Sequence, residues 1–259
     1  MEKFGIIGDP VKGSRSPAIF KAGYDGKYDY DLIEGSDFEA SWQRLLREYD
    51  GINVTAPFKE KAFNAVDRLS PEAERIGAVN LVVKTPDGTT TGYNSDYDGV
   101  VLAIREAIPR PGGKALVIGC GGAGKAAAAA ALDLGYDLTL TNRDTGRAER
   151  LARSLSVTAG DIKVIPPVGL TEALPSADLI LYTVPGPLDG FPPEAIVSLL
   201  GAAGRPCFLL EANYRDPIFA KPGRYSYISG LRWLLHQAAA GYVRFTGETP
   251  DTDAIARQL

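Results

Sequence analysis

Apolar and polar positions along the chain switch repeatedly between the period of a strand and that of a helix. Strand-like runs fall at 3–8, 28–34, 51–55 and 79–84, with helical patterns at 17–24, 37–49 and 59–67 between them. Pro86-Asp87-Gly88 marks a turn, and a short run follows it to Gly92. A helix predicted over about 96–107 ends at Pro109-Arg110-Pro111-Gly112-Gly113, which has the composition of a linker. The alternation then restarts. It predicts a strand over 114–119, a helix to 134 closed by Gly135, a strand over 137–142 and a helix over 145–155. Further strands are expected at 161–165, 178–183 and 207–212, with helices at about 229–245 and 250–258. The pattern is that of two successive α/β units, with a cleft expected between them where small molecules tend to bind.

The junction at 114–125, Lys-Ala-Leu-Val-Ile-Gly-Cys-Gly-Gly-Ala-Gly-Lys, narrows the second unit. An apolar strand runs into Gly119-x-Gly121-x-x-Gly124, and an alanine-rich helix follows. Such a turn brings backbone N–H groups and the positive end of a helix onto a pyrophosphate. Gly119, Gly121, Gly122 and Ala123 are therefore candidate dinucleotide-binding positions. At the end of the next strand, NAD-binding units usually carry an acidic residue for the ribose 2′-hydroxyl. Here Asn142, Arg143 and Arg147 stand in that region instead, and two guanidiniums suit the 2′-phosphate of NADP. Asp144 acts in the opposite sense, since a carboxylate beside a phosphate is repulsive, and it leaves NAD open as an alternative. Arg143 and Arg147 also have a purely structural reading, as a solvated helix start.

Composition excludes several classes. Of the 259 residues, 45% are hydrophobic and 23% charged, and the net charge of −4 provides no basic field for nucleic acid or anionic lipid. No apolar run is long enough to span a bilayer, and the first residues read as a strand rather than a secretory signal. Cys120 and Cys207 form no Cys-x-x-Cys, so disulfides and metal sites are not expected and a cytoplasmic location is. His236 is the sole histidine, and no Tyr-x-x-x-Lys pair is present, which removes two common dehydrogenase chemistries. The remaining acid–base candidates lie in the first unit, in Asn53-Val-Thr55-Ala-Pro57-Phe-Lys59 and Asn94-Ser95-Asp96. Pro57 should stiffen its loop so that Lys59 opens the next helix in a fixed direction. Asp96 is either a reacting group or a helix cap, and Lys59 either catalytic or a surface lysine. Ser14 and Ser16, one residue apart in Ser-Arg-Ser-Pro, could cap a helix or grip a carboxylate.

Taken together, these segments resemble the shikimate dehydrogenase family. The matching motifs occur in order: Ser14–Pro17, Asn53–Lys59, Gly77–Asn80, Gly92–Gly99, Gly119–Ala123, Asn142-Arg143, and Gly230 with Leu234, Gln237 and Ala238. The resemblance implies two α/β domains, a substrate-binding domain over 1–100 and 238–259 and a Rossmann-type NADP-binding domain over 101–237. It implies reversible NADPH-dependent reduction of 3-dehydroshikimate to shikimate, by a monomer or homodimer. Lys59 and Asp96 would then stand at the reacting centre. Ser14, Ser16, Thr55, Asn80, Tyr214 and Gln237 would bind the carboxylate or ring hydroxyls, and Gly230 would join the cofactor site. The chain departs from the family pattern at Gly13, where many relatives have histidine, at Ser95 for threonine, and at Asp144 for threonine. Arg232 and Trp233 replace the usual glycine and methionine near the expected nicotinamide pocket. Two alternatives stay open at this point, an NAD-using quinate/shikimate dehydrogenase and a non-catalytic dinucleotide-binding paralogue.

Overall fold

A computed structural model describes residues 2–159, 161–221 and 223–259. The chain forms two compact units: the first runs to Gly99 and takes back Leu234–Leu259, and the second is Val100–Trp233. The return to the first unit falls ahead of the 238 boundary that the sequence suggests, so Gln237 belongs to the first unit.

The first unit follows the order β1 (Lys3–Gly8), α1 (Ser16–Gly23), β2 (Asp29–Glu34), α2 (Phe38–Glu48), β3 (Gly51–Val54), α3 (Lys59–Ala65), β4 (Arg68–Leu69), α4 (Pro71–Ile76), β5 (Leu81–Lys84) and β6 (Thr90–Tyr93). Helix α5 (Ser95–Ala107) leads out of it. The sheet order is β2-β1-β3-β5-β6-β4, parallel where β1 meets β2 and β3, antiparallel where β5 meets β3 and β6. Helix α2 shows why the amphipathic reading works. Asp37 accepts from the N–H groups of Glu39 and Ala40 to cap it, and Phe38, Ser41, Trp42 and Leu45 bury one face at helical spacing. That face packs on Ile7, Ile33, Ile52 and Val54 of the sheet. Helix α4 and the two-residue β4 are absent from the sequence reading. Ser70 caps α4 by accepting from the Ala73 N–H, and Gly77 ends it at φ 68°.

The second unit follows β7 (Gly113–Ile118), α6 (Gly122–Asp133), β8 (Tyr136–Thr141), α7 (Thr145–Ala159), β9 (Lys163–Ile165), α8 (Leu170–Ala173), β10 (Leu179–Tyr182), α9 (Pro193–Ala203), β11 (Phe208–Glu211) and β12 (Ser226–Ser229). Helix α10 (Gly230–Thr246) begins here and continues into the first unit, which α11 (Thr252–Ala256) completes. The six strands are all parallel in the order β12-β11-β10-β7-β8-β9. Parallel strands buried on both faces read as continuous apolar runs, as Leu179–Tyr182 does. The sequence reading lacks α8, α9 and β12; β12 lies directly before α10, at the start of the helical pattern predicted from 229. Among the described residues, no helix is long and apolar enough to cross a membrane, and no group of three or more His, Cys, Asp or Glu side chains could hold a metal ion.

Candidate active site and dinucleotide site

Strand β3 is buried throughout and lies between β1 and β5, which fixes the loop that leaves it. The Thr55 N–H donates to the Ile7 carbonyl at 2.9 Å, and the Phe58 N–H donates to the Thr55 carbonyl at 2.9 Å. The Phe58 side chain is fully buried, so the turn is anchored before α3 begins at Lys59, as the Pro57 reading expects. The Lys59 carbonyl accepts from the Val79 N–H at 3.0 Å. From this fixed base the Lys59 ammonium donates to Asp96 Oδ2, with side-chain exposures of 16% and 12%. Both charges are largely withdrawn from water, and each is compensated by the other.

Asp96 is free to take this role because another residue caps its helix. Asn94 Oδ1 accepts from the Tyr97 N–H at 3.3 Å, while Asn94 Nδ2 donates to the Ala78 carbonyl at 2.8 Å. The cap alternative for Asp96 is thereby corrected. The Asp96 carboxylate instead lies in the first turn of α5, where the helix dipole favours negative charge.

Asn80 ties this corner to α10. Its Oδ1 accepts from the Ser95 N–H at 2.7 Å, and its Nδ2 lies 3.2 Å from Ser95 Oγ and 3.4 Å from Gln237 Oε1. Ser95 Oγ donates to the same Gln237 oxygen at 3.2 Å. One turn beyond Gln237, a Cβ added at Gly241 would meet Leu81 Cδ1 at 2.8 Å and Ser95 Oγ at 3.0 Å. The glycine lets α10 approach β5 and α5 closely enough for these bonds. Two turns beyond Gln237, Arg244 reaches Asp98 Oδ2 at 3.0 Å and Glu72 Oε1 at 3.6 Å, and its guanidinium lies 5.1 Å from the Tyr93 ring centroid. Burial raises the Asp98 carboxyl above its ordinary value, with Arg244 acting against the rise.

Ser14 and Ser16 stand at the start of α1 with their hydroxyl oxygens 3.1 Å apart, and Ser14 Oγ also accepts from the Ser16 N–H at 3.2 Å. Ser16 is buried and its hydroxyl lies against the Tyr30 phenol. Tyr30 in turn donates to Asn53 Oδ1 at 2.7 Å, and Asn53 Nδ2 donates to the Asn80 carbonyl at 3.4 Å. Burial pushes the Tyr30 phenol well above its ordinary value, so it remains a donor. Ser14, Ser16, Thr55, Lys59, Asn80, Asp96 and Gln237 all lie in the first unit. Asn53, Asn94 and Ser95, which help to hold them, stand in the motifs read from sequence without an assigned role, and Tyr30 lies outside those motifs. Asn53 had a readable signal, a polar residue inside a short strand of otherwise apolar character.

In the second unit, the three glycines of the turn have different work. Gly119 has φ 101°, its N–H donates to the Thr141 carbonyl at 2.9 Å, and an added Cβ would lie 2.7 Å from Thr183 Oγ1. A Cβ at Gly124 would lie 2.0 Å from the Gly119 carbonyl oxygen. Both positions are required by the turn itself. A Cβ at Gly121 would meet no described atom within 4 Å, although Gly121 is the N-cap of the twelve-residue α6. No described side chain caps that helix, so its first N–H groups face the open space before Gly121. Such a cradle fits a dinucleotide pyrophosphate, with the N–H groups of Gly122 and Ala123 among its donors. Cys120 within the turn is buried and its thiol is pushed up to about 11, which leaves it inert.

Asn142 braces this turn: its Oδ1 accepts from the Cys120 N–H at 3.1 Å and its Nδ2 donates to the Asp144 carbonyl at 3.0 Å. Arg143 is highly exposed, with its guanidinium 3.8 Å from Asp189 Oδ2. Asp144 engages its own helix. Its Oδ1 accepts from the Arg147 N–H at 3.3 Å at the start of α7, and its Oδ2 lies 3.5 Å from Arg150. The carboxylate caps its own helix and pairs with a cation there.

Gly230 opens α10, and a Cβ there would approach the Glu211 and Ala212 carbonyl oxygens to 2.6 and 2.7 Å. Glycine is required where the helix starts against the end of β11. Tyr214 is half-buried in the loop after β11. Asn213, another residue outside the sequence reading, braces that loop. Its Nδ2 donates to the Pro185 and Asp216 carbonyls at 3.1 and 2.9 Å, and its Oδ1 accepts from the Arg215 N–H at 3.1 Å. Arg232 pairs with Glu106 through two hydrogen bonds, and Trp233 is buried at 5% exposure.

Known proteins resemble this chain along its length. Residues 6–82 match the shikimate dehydrogenase substrate binding domain, and residues 93–191 match the C-terminal domain of alanine dehydrogenase/PNT. Shikimate dehydrogenase (NADP(+)) of Rubrobacter xylanophilus is 35% identical, over 98% of this chain and 94% of that protein. The enzyme of the same name from Acidiphilium cryptum is 35% identical, over 96% and 92%. Among solved structures, Mycobacterium tuberculosis shikimate dehydrogenase superposes with a TM-score of 0.81 at 28% identity, covering 100% of both chains. The Corynebacterium glutamicum quinate dehydrogenase complex with NAD gives 0.86 at 26% identity, over 99% and 98%. The Thermus thermophilus enzyme in complex with NADP(H) and shikimate gives 0.79 at 28%, over 100% and 98%. With full-length relatives above 30% identity and the substrate-binding domain matched at its N-terminal end, the chain belongs to the shikimate dehydrogenase family.

Proposed function

We propose that the chain catalyses the reversible NADPH-dependent reduction of 3-dehydroshikimate to shikimate, a step of chorismate and aromatic amino-acid biosynthesis. The observation that carries this reading is the Lys59–Asp96 contact, part-buried beside the Asn80–Ser95–Gln237 cluster. A binding module has no need of an ammonium held in this way. When bound, NADPH supplies the hydride that adds to the keto carbon. The Lys59 ammonium stabilises the negative charge that develops on the oxygen and supplies its proton, and Asp96 holds the ammonium and binds a neighbouring hydroxyl. Ser14 and Ser16 take the substrate carboxylate, while Thr55, Asn80, Gln237 and Tyr214 take carboxylate or ring hydroxyls. Gly121, Gly122 and Ala123 carry the pyrophosphate, and Arg143 and Arg147 the 2′-phosphate.

NADP rather than NAD is supported by the two arginines at the end of β8, by the engagement of Asp144 with α7, and by the NADP(+) designation of the relatives. The test is the reduced-nicotinamide absorbance with shikimate, run separately with NADP⁺ and NAD⁺. Turnover with NADP⁺ exceeding that with NAD⁺ is expected. Faster turnover with NAD⁺ reverses the cofactor assignment, and no turnover with either returns the chain to the class of binding proteins.

A further inference from the structure

Tyr30 lies on the edge strand β2 and Asn53 on β3, with β1 between them. Strands two apart are separated by roughly 9–10 Å, so a long side chain is needed to join them. Tyr30 does so, its hydroxyl reaching Asn53 Oδ1 at 2.7 Å. The same hydroxyl meets that of Ser16, which in turn is 3.1 Å from Ser14 Oγ. The bond to Oδ1 also fixes the direction of the Asn53 amide, since the amide oxygen must face the phenol and the NH₂ group turns toward the Asn80 carbonyl at 3.4 Å. One phenol thereby joins the two serines at the start of α1 to the β3–β5 corner that carries Asn80.

We propose that Tyr30 is a positioning residue for the carboxylate end of the substrate site, setting the Ser16 hydroxyl and the Asn53 amide together before substrate arrives. This inference rests on the substrate reading above, in which the serines grip the carboxylate. Tyr30 is remote in sequence from Lys59 and Asp96 and, among the described residues, hydrogen-bonds to neither, so its action falls on substrate binding rather than on proton transfer.

Tyr30→Phe removes the hydroxyl and keeps the ring that packs 4.8 Å from Phe20 and 6.4 Å from Tyr242, measured between centroids. Steady-state kinetics with shikimate and NADP⁺, and calorimetric titration of shikimate, are compared for the unmodified chain and this variant. The KM and dissociation constant for shikimate are expected to rise about 5- to 30-fold, the span for freeing hydrogen-bonding groups that meet a charge. Meanwhile kcat should stay within about twofold and the KM for NADP⁺ should not change. In combination with Ser16→Ala, the loss should be smaller than the product of the two single losses, because both changes act on one contact. A merely structural tyrosine would lower the unfolding midpoint and leave the shikimate KM in place, and that result overturns the proposal. So does a fall in kcat with KM retained. If the unmodified chain neither binds nor oxidises shikimate, the functional reading fails with it; if the unmodified chain is active and Tyr30→Phe matches it, only the positioning role fails.

Discussion

Asp144 accepts the backbone N–H of Arg147 on one carboxylate oxygen at 3.3 Å and faces Arg150 with the other at 3.5 Å. The position that looked like an obstacle to a 2′-phosphate is a helix cap. Asp144→Asn retains a good capping side chain, and the affinity for NADP⁺ is expected to change by less than about threefold, since solvent-exposed charge effects are small. Asp144→Ala should lower stability by about 1 kcal/mol through loss of the cap. Fluorescence titration with NADP⁺ and thermal unfolding measure the two effects. A tenfold tightening in Asp144→Asn would mean that the carboxylate does oppose the phosphate.

Lys59→Ala should lower kcat by about 10²- to 10⁴-fold, the usual span for a positioned acid–base group, with NADP⁺ affinity unchanged. The substitution also leaves the Asp96 carboxylate at 12% side-chain exposure without its cation. Some loss of stability therefore accompanies the loss of rate. Single-turnover kinetics at saturating substrate separate the two, and a near-normal rate there removes Lys59 from the chemistry.

Gly121 and Gly124 separate cofactor binding from folding within one turn. Gly124→Ala places a methyl group 2.0 Å from the Gly119 carbonyl oxygen and should destabilise by about 1–3 kcal/mol or more. Gly121→Ala meets open space, so its unfolding midpoint should be close to that of the unmodified chain. Its KM for NADP⁺ should nevertheless rise about tenfold, as the methyl group intrudes on the anion cradle. Unchanged NADP⁺ binding in Gly121→Ala would move the pyrophosphate elsewhere.

Asp98 predicts a feature of the acid stability curve. Partial burial raises its folded carboxyl above its ordinary value. Between the ordinary and the raised values, the folded chain binds more protons than the unfolded one, so this residue makes stability fall as pH rises through that window. Asp98→Asn should remove that component. Denaturant unfolding at a series of pH values just above the ordinary carboxylate range checks it, and identical slopes in both proteins would assign the effect to another group.

The sequence carried most of the strand and helix positions because burial on a regular element repeats with its period. It missed α4, β4, α8, α9 and β12, of which α4, β4 and α8 are short and β12 runs directly into α10. Helix α4 was nonetheless marked by Ser70, Pro71 and Gly77. The individual side chains of the site were visible as motif positions, but their partners were not. Nothing local says that Asn94 rather than Asp96 caps α5, since both are good capping residues and the choice is made by contacts with Ala78 and Lys59. The Tyr30–Asn53 bond is equally hidden, because it depends on strand order, which periodicity does not contain.

Because Leu234–Leu259 belongs with the segment that ends at Gly99, the first unit is split in the chain while the second is continuous. A ribosome therefore delivers every residue of the second unit before it delivers Gln237. The nucleotide half can reach its native state during translation, and the other half must wait for Leu234–Leu259 to emerge. A prematurely terminated product lacking α10 would keep its Gly-rich turn and lose the contacts that Gln237 makes with Asn80 and Ser95.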